Sequence, residues 1–79
     1  MTDLLPNIER MRQVFAALLP GMPAPSMDSL LRWSQYDVHA VEAGIRRAAM
    51  KASSGQTPRD VYRFICAVAR QEDEKGARR

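Results

Sequence analysis

The chain has 79 residues, 46% of them hydrophobic, with a formal net charge of +3. A chain this short makes one domain that buries only about 60% of the surface its unfolded form exposes, so packing or self-association must supply its stability. No apolar run approaches the roughly 20 residues that span a bilayer, Leu4 and Leu5 are too isolated for a signal-peptide core, and lone Cys66 and lone His39 give neither an internal disulfide nor a zinc site.

Leu4, Ile8, Met11, Phe15 and Leu18 recur at alternating steps of four and three, which puts them on one helix face. With Pro6 tolerated in a first turn, the spacing predicts a helix over about residues 5 to 18. Pro20, Gly21, Pro23 and Pro25 then form a stiff, non-helical linker. Ser26 caps a short second helix, about 27 to 35, that carries Met27, Leu30, Leu31 and Trp33. Asp37 caps a third, 38 to about 52, whose stripe is Val38, Val41, Ile45, Ala48 and Ala52, and Gly55 suits the left-handed position that ends it. Thr57, Pro58 and Asp60 predict a fourth start, with Val61, Phe64, Ile65 and Val68 on the buried face of a helix over 58 to 71. Residues 72 to 79 lack apolar periodicity and read as a flexible charged tail. The expected fold is therefore all-α: a single four-helix domain over 1 to 71, without strand alternation or internal repeats. A start at Met1 and an end soon after the last periodic segment read as a complete small protein, expected to be cytoplasmic.

The charge is polarised. From Gly44 to Arg70 lie Arg46, Arg47, Lys51, Arg59, Arg63 and Arg70, opposed only by Asp60, whereas Asp3, Glu9, Asp28, Asp37 and Glu42 outnumber Arg10, Arg12 and Arg32 before it. Arg47 and Lys51 are one helical turn apart, as are Arg59 and Arg63, so four cations can surround one helix–helix corner. Free N–H groups at a helix start near Thr57 would favour a phosphate there. A solvated face that keeps the protein soluble is the plainer reading. Arginine's planar, bidentate donors favour binding.

Other residues invite the same weighing. Trp33 is expected in the core, while Tyr36 and Tyr62 can stack on the bases of a single strand or bury their rings with the hydroxyl wet. His39 has no nucleophile beside it and reads as an exposed structural histidine, Cys66 as a buried thiol, and the scattered methionines as core filler or interface. Gly44, with Ala40, Ala43, Ala48 and Ala49, leaves a surface on which another helix can pack closely. No enzyme motif, metal site or cofactor is expected. The spacing of helix 1 also permits a homodimer through Ile8, Met11 and Phe15, although the same residues could cover helices 3 and 4.

The stretches Pro25-Ser26-Met27-Asp28-Ser29-Leu30-Leu31-Arg32-Trp33, Val41-Glu42-Ala43-Gly44-Ile45-Arg46-Arg47-Ala48 and Phe64-Ile65-Cys66-Ala67-Val68-Ala69 together resemble the C-terminal helicase-loader type domain of DnaD-like primosome proteins and phage replisome organisers. The likeness spans residues 22 to 71. Phe64 and Ala69 stand where that family has tyrosine and leucine, the loop is longer, and helix 1 takes the place of a winged N-terminal domain. The resemblance implies single-stranded DNA contact by the last helix and its tail, with docking to a replicative helicase or initiator. By position it implies that Phe64, Ile65 and Val68 shape that helix with Arg63 and Arg70 beside them.

The expected function is a non-enzymatic accessory protein of phage or mobile-element type that binds nucleic acid, single-stranded DNA above all, or a nucleic-acid-processing complex through the Arg46 to Arg70 surface. The alternative is a small inhibitor or adaptor, of the anti-CRISPR kind, that blocks a host nucleic-acid-processing protein. A helix-turn-helix regulator would read DNA with helix 4, against which the bulky Val61, Phe64 and Ile65 at its start argue.

Overall fold

The computed structural model describes residues 4–77; the side chain of Leu4 and the tail residues Arg78 and Arg79, all part of the expectations above, lie outside the described set. The order is α1 (Leu4–Leu18), α2 (Met27–Trp33), α3 (Val38–Ser53) and α4 (Val61–Ala77), with no strand among the described residues. The all-α, four-helix expectation holds.

Helices α3 and α4 form an antiparallel hairpin that is the spine of the domain. Gly44 makes its close approach possible: a Cβ there would sit 2.8 Å from the carbonyl oxygen of Ile65. The small-residue face of α3 thus receives α4 of the same chain. On the other side, α1 lies against α3, and α2 spans from α1 to α4. Trp33, Phe15, Met11, Leu30, Ile45, Ile65 and Val41 are fully buried between them, each large apolar side chain contributing about 1.5–3 kcal/mol relative to exposure. Trp33 is therefore a core residue. Ile8, Met11 and Phe15 are consumed by this same core, which removes them as a dimer surface.

Local chemistry sets the ends of the elements. Ser26 accepts from the Ser29 N–H at 3.2 Å and Asp37 from the His39 N–H at 3.2 Å, capping α2 and α3 as their side chains predict. At the C-terminus of α3, Gly55 takes φ +81° while its N–H bonds Ala52 and that of Gln56 bonds Lys51, an arrangement only glycine enters without strain.

Four boundaries differ from expectation. The core position at the end of α1 belongs to Leu19, not Leu18, because the Leu19 N–H still bonds the Phe15 carbonyl and continues the helical turn. Helix α2 stops at Trp33, where the Ser34 hydroxyl bonds the Leu31 carbonyl and the chain turns toward Asp37. Helix α4 begins at Val61 rather than Pro58: the Asp60 carboxylate accepts from the Arg63 N–H at 3.2 Å and outcompetes Thr57 as the cap. Finally, residues 72 to 77 are helical and not a loose tail. Glu72 pairs with Arg47 at 3.1 Å, and Asp73 accepts from the Asp37 N–H at 3.2 Å, so polar contacts fasten a turn that has no apolar stripe.

The linker between α1 and α2 is docked as well as stiff. Pro25 is buried, and the Tyr62 hydroxyl donates to the Pro23 carbonyl at 2.5 Å. The Tyr62 ring stacks on Phe15, 5.7 Å between centroids at 15°, and Phe15 in turn meets Trp33 at 6.2 Å. Three aromatics thereby tie α1, α2 and α4 into one unit.

Candidate anion-binding surface

The six expected cations do not form one patch. Helix α4 presents Arg63, Ala67 and Arg70 along its outer ridge, and a groove runs on each flank. The groove toward α2, of about 470 Å³, has Arg32, Arg63 and Arg70 at its edges, with Tyr36, Tyr62 and Cys66 in its wall. The groove toward α3, of about 410 Å³, has Arg47 and Lys51 on its rim. Arg59 is exposed in the loop before α4 and borders neither groove.

Arg46 points elsewhere. It pairs with Glu42 at 3.7 Å, and the same carboxylate holds Arg10 of α1. Glu42 is only 2% exposed, so it is a buried anion bridging two arginines, and Arg46 belongs to the α1–α3 seam. By sequence Glu42 is an ordinary charge near a helix start. Only its place on the α1-facing side of α3, with Arg10 opposite, makes it structural.

Carboxylates also answer two of the remaining cations: Arg47 pairs with Glu72, and Arg70 with Glu74 at 3.5 Å. Arg32, Lys51, Arg59 and Arg63 form no ion pair among the described residues. Asp60 stands at the edge of the α2–α4 groove, and because it caps α4 the first N–H groups of that helix are partly spoken for. The free N–H groups expected near Thr57 therefore lie at the start of α4, from Val61, where that of Arg63 is already capped by Asp60.

The two tyrosines fare differently. Tyr62 has one ring face stacked on Phe15 and its hydroxyl bonded, so it is no free platform for a base. Tyr36 is half-buried in the groove wall. Burial raises its pKa above the usual 10.0, the neighbouring Cys66 adds to the rise by charge and by a hydrogen bond, Arg70 opposes it, and Asp73 reinforces it. Cys66 is half-buried beside Tyr36 and not in the core proper. His39 is exposed.

Arg32 is the groove residue that sequence reasoning leaves out. By position it belongs with the acidic half of the chain, yet its place in the last turn of α2, one turn before Tyr36, is the available signal. Comparison with protein-family models, curated proteins and solved structures finds no match to this chain.

Proposed function

We propose that this is a non-enzymatic accessory protein of phage or mobile-element type that engages single-stranded nucleic acid, or the complex that processes it, through the α2–α4 groove. The observation that carries this reading is the convergence of Arg32, Arg63 and Arg70, from two helices, on one groove walled by Tyr36. Guanidinium groups bind phosphate oxygens in pairs, so successive phosphates of a strand laid along the groove can each find a fork of donors. The Arg70–Glu74 pair is exposed on both sides; such pairs are worth at most about 1 kcal/mol, and a phosphate can take the carboxylate's place. An extended single strand suits a shallow groove better than a duplex does, since Asp60 at the start of α4 would repel the phosphates flanking a major groove. A single-stranded target is also what the resemblance of residues 22 to 71 to replisome-organiser domains would imply.

Binding of a fluorescent single-stranded oligonucleotide, followed by anisotropy, tests this. Arg32→Glu with Arg63→Glu should cost at least about tenfold in affinity at about 50 mM salt, the charge contribution of the phosphate contacts being largest there. Undetectable binding of single- and double-stranded DNA and RNA by the wild type under the same conditions refutes the reading. Retention of one defined protein from nuclease-treated lysate, with no nucleic acid bound, would favour an inhibitor or adaptor instead.

A further inference from the structure

The α3–α4 groove has a different chemistry from its neighbour. Its floor is Phe64 and Val68, and Met50 overhangs it with 71% of its surface exposed, the largest exposure among the big apolar side chains described. A lone exposed apolar side chain is ordinary, but Met50 beside Phe64 and Val68 makes a continuous apolar lining that an apolar side chain can fill. Its rim is cationic on the α3 side. The Lys51 ammonium lies 5.8 Å from the centre of the Phe64 ring and has no carboxylate partner among the described residues, while Arg47 reaches Glu72 from a side chain that is 49% exposed. The Lys51 ammonium beside the Phe64 ring keeps donors for an incoming carboxylate.

We propose that this groove docks an acidic amphipathic helix of a partner protein. Apolar residues at helical spacing would seat on Phe64, Val68 and Met50, and an aspartate or glutamate at the edge of that stripe would pair with Lys51 and share Arg47. The charge complement favours an acidic helix over basic or neutral ones of equal apolarity, by no more than about fivefold in affinity, about 1 kcal/mol, for an exposed pair. The α2–α4 groove lies on the other flank of α4 and shares only Ala67 with this one, so the two sites can be tested separately.

The test is a selection of displayed random peptides, each about four helical turns long, on the wild-type protein, with Met50→Asp and Lys51→Glu as counter-targets. The expected survivors carry two or three large apolar residues at helical spacing flanked by Asp or Glu, and bind Met50→Asp at least about tenfold more weakly, as loss of a central anchor does, and Lys51→Glu at least about threefold more weakly, as reversal of a rim charge does. In the same survivors Arg63→Glu should change nothing, and Met50→Asp should leave oligonucleotide binding intact, so the two grooves can fail separately. The proposal is overturned if no peptides are enriched, if the survivors lack acidic residues, or if they bind Met50→Asp as well as wild type. It is equally overturned if the wild type alone self-associates with concentration and both Met50→Asp and Met27→Asp abolish this, because the exposed Met27 and Leu31 of a second copy would then be the occupant.

Discussion

Two side chains at the residue scale couple charge to folding. Glu42 is buried, whereas the arginines it holds are 57% and 65% exposed at their side chains. Glu42→Ala removes a bridge between α1 and α3, but Arg10 and Arg46 can turn to water, so the cost stays below that of stranding a buried charge. We expect a loss of about 1–2 kcal/mol in urea denaturation. Tyr36 acts through protons. Its folded pKa lies above the unfolded 10.0, so the unfolded chain releases the phenolic proton first as pH rises. Stability attributable to this group is complete below pH 10 and declines through the window between the two values. Denaturation of wild type and Tyr36→Phe at a series of alkaline pH values should show a steeper fall for wild type; parallel curves would mean that Tyr36 titrates alike in both states.

Packing of α3 on α4 decides the element scale. At Gly44 an added methyl gains helix propensity, about 1 kcal/mol, but it meets the Ile65 carbonyl at 2.8 Å, and backbone cannot yield as a side-chain tip does. Separation of the hairpin costs more than the propensity returns, so Gly44→Ala should destabilise by about 1–3 kcal/mol. Gly76→Ala, with nothing within 4 Å of the new atom, is the control and should leave the melting temperature unchanged or slightly raised. Helix identities are legible wherever an apolar stripe or a cap with one strong candidate exists, as at Ser26, Asp37 and Gly55. The start of α4 is not, because Thr57 and Asp60 are both cap residues, and the choice between them rests on where Val61 must enter the core. Its last turns escape sequence reasoning because their stabilising contacts are ion pairs and the Asp73 carboxylate accepting from the N–H of the α3 cap, Asp37, which leave no periodic trace.

On the scale of the whole molecule the issue is the direction of the charge. Three arginines around the α2–α4 groove can neutralise about three phosphates, which for a single strand implies a log–log salt slope of about −2 and roughly a twentyfold loss of affinity from about 50 to about 200 mM salt. A slope near zero would show that the contacts are not ionic. No helix among the described residues is long and apolar enough to cross a membrane. The basic half of the chain is readable from composition, and the choice of an anionic target as the expected class follows from it. Which cations act together is not readable there, because Arg46 turns to the α1 seam while Arg32, from the acidic half, joins Arg63 and Arg70.

The amino-acid sequence alone determined four helices, their caps at Ser26 and Asp37, and an excess of arginine in the second half, since these depend on neighbours within a turn or two along the chain. Tertiary structure alone decided that α4 divides those cations between an aromatic-walled groove and an apolar one, and that Glu42 is a buried anchor. The reason is geometric: a helix has many faces, and which of them meets water is settled by the helices packed against it.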